Sequence, residues 1–170
     1  MGKAVPGPRR SREPKNPLDC HERALGLLAV RPRSRRELEL RLLRAGLEAT
    51  EVQDVLERLE GVGLIDDAQF ARELAAHHVT VRGSGRRAVA SALAAKGVGR
   101  ATIDTTLAEL GGDDDARAEE LARDRLRRLG SLPPDKAYLR LVAFLARRGY
   151  DTSLARSAAR AALNVEGSED

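Results

Sequence analysis

Apolar residues recur along this chain with the period of a helix. Val52, Val55, Leu56 and Leu59 fall at i, i+3, i+4 and i+7, which gathers them on one side of an α-helix. Phe70, Leu74 and Val81 repeat the stripe, as do Ile103, Leu107 and Leu110, and then Tyr138, Leu141, Val142 and Leu145. No stretch alternates with a period of two, and no proline occurs between Arg33 and Leu132. The pattern predicts an all-α chain.

Start and stop signals divide the helices. Ser34 with Glu37, Thr50 with Gln53 and Asp66 with Gln69 have the spacing of capping boxes, in which a short side chain accepts an orphan N–H at a helix start. Gly46, Gly63, Gly83, Gly97, Gly130 and Gly149 stand where helices end in a left-handed residue. Three of these recur at 46, 97 and 149, a spacing of 51 and then 52 residues. Four positions before each lies Leu42, Leu93 or Leu145, and eight before lies Leu38, Val89 or Leu141. Six after lies Val52, Ile103 or Ala155, and ten after lies Leu56, Leu107 or Ala159.

Such self-similarity marks three tandem three-helix repeats, over 18–62, 66–110 and 113–163. Stacked units of this kind form an elongated, curved array. The third repeat puts Ala155, Ala159 and Ala162 where larger residues are expected, so it is expected to be the least stable. Residues 1–17 hold four of the seven prolines and read as a disordered basic tail, and 164–170 as a frayed acidic end.

Composition then narrows the chemistry. The single cysteine, Cys20, allows no intrachain disulfide, and no apolar run nears the ~20 residues needed to cross a bilayer. No secretory signal is evident at the N-terminus, so a cytoplasmic protein with no membrane attachment is expected. The net charge of +4 and a pI near 9.7 suggest nucleic acid at first sight. Yet Lys3, Arg9, Arg10, Arg12 and Lys15 against Glu13 supply that whole excess within residues 1–17. The remaining body is balanced.

Catalytic motifs are missing. The chain has no GxxxxGK[ST], no HExxH and no GxSxG, and Gly61-Val62-Gly63 and Gly97-Val98-Gly99 read as helix ends. His77 is placed on the apolar side of its helix with Phe70, Leu74 and Val81, as a half-buried histidine without metal partners. Cys20 and His21 precede the first helix with no acid–base pattern around them. Asp66-Asp67 and Asp113-Asp114-Asp115 read as helix-start carboxylates. Neither an enzyme nor a cofactor or metal is expected.

Arginines stand out instead, as all but four of the 30 basic residues. Arg31, Arg33, Arg35 and Arg36 surround the first inter-helix turn of repeat 1, and Arg82, Arg86 and Arg87 the same turn of repeat 2. Repeat 3 offers Arg127 and Arg128, with Arg147 and Arg148 further on. Guanidinium clusters grip carboxylates and phosphates bidentately, so these eleven residues are the candidate partner-binding set. Sequence reading of duplex DNA is disfavoured, because the recognition-helix position of repeat 1 carries Glu51, Asp54, Glu57 and Glu60 against Arg58.

Particular segments resemble the RecX family of regulators of the bacterial recombinase RecA. They are Ala24-Leu25 and Leu28, Arg31-x-Arg33-Ser34-x-x-Glu37-Leu38, Val55-Leu56 and Leu59, then Gly63-Leu64-Ile65-Asp66-Asp67-x-x-Phe70-Ala71. Arg82 with Gly85, Leu93-x-x-Lys96-Gly97-Val98 and Leu145-x-Arg147-Arg148-Gly149-Tyr150 follow, the last with Tyr where the family has Phe. The likeness covers about residues 20–163; the proline-rich tail and the alanine-rich last helix depart from it. It implies a non-enzymatic modulator, an inhibitor, that lies along the RecA–ssDNA filament and limits filament growth, ATP turnover and strand exchange. DNA repair by homologous recombination, the SOS response and a monomer that meets ssDNA mainly within the filament, or weakly through the tail, are part of that implication. The competing class is a general ssDNA-binding helical-repeat protein without a recombinase partner, against which stands the shortage of stacking aromatics.

Overall fold

The structure, a computed structural model, describes residues 17–166. Among them are nine helices and no strand. All but the last residue of the expected basic tail at 1–17, and the last four residues of the chain, lie outside the described residues. Pro17 itself opens the first helix. Two bodies are distinguished: one runs up to Pro32 and resumes over Leu38–Ile65, and the other joins Arg33–Glu37 to the chain from Asp66 onward.

In the first body α1 (Pro17–Val30), most of α2 (Arg35–Arg44) and α3 (Ala49–Gly61) enclose one apolar cluster. Cys20 and Ala24 on α1, Leu38 and Leu42 on α2, and Val52, Val55, Leu56 and Leu59 on α3 are fully buried or nearly so. Cys20 therefore belongs to α1 and its core, not to a segment before it. The position is set by the helical stripe that continues to Leu27 and Leu28.

The second body holds two more three-helix groups. Phe70, Ala71 and Ala75 of α4 (Asp67–Thr80) pack with Val89 and Leu93 of α5 (Arg86–Ala95) and Ile103 of α6 (Arg100–Glu109). Ala118, Ala122 and Leu126 of α7 (Asp114–Arg127) meet Leu141 and Leu145 of α8 (Pro134–Arg147) and four alanines, Ala155, Ala158, Ala159 and Ala162, of α9 (Thr152–Glu166). α9 lies along both α7 and α8, and its alanines let three helices approach closely. It extends through Glu166, three residues past the expected edge at 163.

The tandem three-helix pattern holds throughout, and all six glycines named as helix ends have positive φ, with Gly111 joining them. Local expectations fare unevenly. Asp66 accepts from the Gln69 N–H at 2.9 Å, and Ser34 from the Glu37 N–H at 3.1 Å. Thr50 caps nothing, because α3 starts two residues earlier than that cap would place it, with Glu48 at the cap, and the Gln53 amide donates to Glu39. His77 is exposed and Val81 is 70% exposed. Val81 sits at the helix C-cap, where the helical phase ends, so the buried face passes through Ala71 and Ala75 to Val79.

Candidate partner-binding surface

The arginine-rich turns turn out to be joints. Ser34 sits at the start of α2, and its hydroxyl donates to the Lys96 carbonyl at the end of α5. The next residue, Arg35, donates its N–H to the Asp67 carboxylate at the start of α4 (2.8 Å). Glu37 accepts from Arg33 (2.6 Å) and from Lys96 (3.4 Å), closing a three-membered charge cluster in which Arg33 is only 7% exposed. Gly97 leaves room for the Arg36 stem: a Cβ there would come within 2.4 Å of the Arg36 Cβ.

A second joint repeats the design with different residues. The Gly85 N–H at the start of α5 donates to the Arg148 carbonyl (2.9 Å), and the Arg87 N–H to the Gly149 carbonyl (3.1 Å). A Cβ on Gly149 would lie 2.3 Å from the Ala88 nitrogen, and one on Gly85 would lie 2.7 Å from the Gly149 oxygen. In both joints the amino end of a repeat's second helix faces the carboxyl end of the next repeat's second helix. Positive and negative dipole ends thus meet; at the second joint orphan backbone groups satisfy one another, and at the first the Ser34 hydroxyl and the Asp67 carboxylate do so.

Side chains lock this second contact. The Arg148 guanidinium donates to the Arg82 carbonyl and lies over the Phe144 ring, 4.8 Å from its centre. Arg125 lies over the same ring at 5.4 Å. Arg87 reaches Asp151 at 3.7 Å. Hydrogen bonds from the Ser153 hydroxyl and N–H, helped by Arg87, hold the Asp151 carboxyl below its usual range. Between α4 and α5, burial lowers the His78 pKa below the usual histidine value, with Arg82 and His77 adding to it, and the Ser84 hydroxyl stands 3.5 Å from its Nδ1.

The eleven candidate arginines consequently divide. Arg33 and Arg148 are parts of the joints, and the backbones of Arg35 and Arg87 and the stem of Arg36 contribute as well. Arg86 donates to the Gly111 carbonyl (3.2 Å), Arg31 to its neighbour Pro32 (3.0 Å), and Arg127 pairs with Asp124. Arg82, Arg128 and Arg147 are exposed. Sequence reasoning missed Asp67, Lys96 and Asp151 as joint partners. The signal within reach was Ser34, whose capping position coincides in register with Gly85, twelve residues before Gly46 and Gly97 respectively.

Neither a cluster of three or more potential metal ligands nor a helix long and apolar enough to cross a membrane exists among the described residues. What the geometry defines is an all-α repeat protein in which α5 and α8 meet end to end and whose surface is rich in arginine. Family models described as the first, second and third three-helix domains of RecX match residues 20–59, 66–107 and 113–158, in that order. The chain belongs to the RecX family of regulatory proteins. It is 41% identical to the regulatory protein RecX of Mycobacterium ulcerans (strain Agy99) over 169 residues, covering 98% of this chain and 96% of that one. Identity is also 41% over 154 residues with that of Mycobacterium sp. (strain KMS), covering 88% and 84%. The crystal structure of RecX from Lactobacillus salivarius shares the fold, with a TM-score of 0.78 at 17% identity over 86% of this chain and 96% of that one.

Proposed function

We propose that this protein restrains the RecA recombinase by binding along the RecA–ssDNA filament, limiting filament growth, ATP turnover and strand exchange. The observation that carries the reading is the match to all three RecX domains in order along the chain. It acts as a cytoplasmic monomer without catalysis, through the protruding arginines of the set Arg31, Arg33, Arg35, Arg36, Arg82, Arg86, Arg87, Arg127, Arg128, Arg147 and Arg148. Arg33 and Arg148 serve as positioning residues that fix the joints from which the others project. Many weak charged contacts, repeated along a regular partner, sum through avidity and are sensitive to salt.

Free single-stranded DNA is the weaker reading. Stacking platforms need aromatic faces, and the four rings here are otherwise engaged. Phe70 and Tyr150 are buried, Phe144 lies under Arg125 and Arg148, and Tyr138 lies under Arg160 at 6.0 Å. The test is the triple substitution Arg82→Ala, Arg128→Ala and Arg147→Ala, assayed on RecA ATP turnover over ssDNA. Inhibition should weaken at least tenfold, about 1.4 kcal/mol of binding, with helicity by circular dichroism unchanged. Inhibition equal to that of the unaltered chain would remove these three residues from the interface.

A further inference from the structure

The joint motif has a third, open copy. Gly97 and Gly149 are each covered by the start of another helix, whereas Gly46, the equivalent residue at the end of α2, has nothing within 4 Å of where its Cβ would be. Its φ of 83° matches the 75° and 85° of the other two, so the turn is already shaped to receive a helix start. Two residues beyond it stands Glu48, exposed, in the position from which Asp151 reaches Arg87.

The chain also has a spare copy of the segment that fills such a turn. Pro32-Arg33-Ser34-Arg35-Arg36-Glu37 covers the turn at Gly97. Pro8-Arg9-Arg10-Ser11-Arg12-Glu13 contains the same six residues, with the serine one place later. We propose that Pro8–Glu13 docks on the turn Ala45-Gly46-Leu47 of the same chain, at the exposed Gly46, as Pro32–Glu37 docks on the turn at Gly97. The Ser11 hydroxyl donates to the Ala45 carbonyl, the counterpart of Lys96, and a tail arginine pairs with Glu48.

Reach and charge both support this occupant. Ser34 and Arg35 are consecutive and contact Lys96 and Asp67, so the end of α5 and the start of α4 lie side by side. Thirty residues separate Asp67 from Gly97, and the same count back from Gly46 arrives at the entry to α1. By that register the tail leaves α1 on the side of the open turn, and the six steps from Pro17 back to Ser11 span up to ~20 Å. Five basic residues against one acid suit the negative end of a helix and an adjacent glutamate. Docked, the segment covers the turn at Gly46 and takes its arginines away from free DNA. Repeat 3 has no such docking segment: α8 begins at Pro134, the register position of Arg31 and Arg82, and so runs as helix through the positions that form a docking turn in repeats 1 and 2. None of this depends on the recombinase reading.

Amide NMR spectra of the full chain and of a chain lacking residues 2–13 provide the test. Cross-peaks of Gly46, Leu47 and Glu48 should shift on truncation, equally at low and high protein concentration. A synthetic peptide of residues 6–15 added to the truncated chain should shift them back in a saturable manner. Should truncation disturb folding, the full-length variant Arg9→Ala, Ser11→Ala, Arg12→Ala should move the same peaks alone. Unchanged Gly46 and Leu47 peaks would overturn the proposal. So would shifts confined to the acidic face of α3, which would mean diffuse charge attraction, or concentration-dependent shifts, which would mean docking on a second copy.

Discussion

Gly97 and Gly46 have the same backbone conformation and different surroundings, which separates two effects that a glycine usually combines. Both have φ near +80°, where an L side chain costs roughly 1–2 kcal/mol. Only Gly97 also meets another segment, at a Cβ distance that no rotamer relieves because the neighbouring atom is the Arg36 Cβ. Gly97→Ala should therefore destabilise by about 1–3 kcal/mol more than Gly46→Ala, the usual range for overpacking. Urea unfolding of the two variants measures the difference; equal losses would mean that the joint yields freely. The sequence announces both glycines through their spacing, because a helix end needs a left-handed residue wherever it falls. It is silent on which is covered, since coverage depends on a segment about sixty residues away. The same holds for Arg33 and Arg148: clustering along the chain marks them as arginines of a turn, but burial and a partner carbonyl turn them into structural pieces.

Among the elements, α9 is the instructive case. Its alanines at 155, 158, 159 and 162 are fully buried against α7 and α8. Small residues look like weak packing when side-chain size alone is counted, hence the expectation of a fragile third repeat. In the structure they set a short interhelical distance, and α7 answers with Ala118 and Ala122. A larger side chain has no room, so Ala159→Leu should destabilise by about 1–3 kcal/mol, although leucine is the residue that repeat 1 carries at this register. Thermal unfolding checks it; a gain in stability would show that the site is underfilled. The stripes on α3 and α8 are legible because leucine and valine at 3.6-residue spacing leave one solution. The end of α4 is not: Val81 continues the apolar pattern after the helix has stopped, and the cap geometry that stops it is set by Gly83 and Ser84 beyond.

At the scale of the molecule the charge is balanced over the folded repeats and the excess resides in the tail. The fold class was legible throughout because periodicity and helix-end glycines repeat three times. The candidate surface was legible only as a list of arginines, because whether a guanidinium points outward or grips the next repeat is a tertiary fact. A regulator that recognises a protein filament and a protein that recognises naked ssDNA place different demands on such a surface, and the engaged aromatic rings favour the first. The direct comparison is equilibrium binding of the labelled protein, at physiological salt, to a RecA–ssDNA filament and to the same ssDNA alone. Binding at least tenfold tighter to the filament is expected; equal or tighter binding to the naked strand would contradict it.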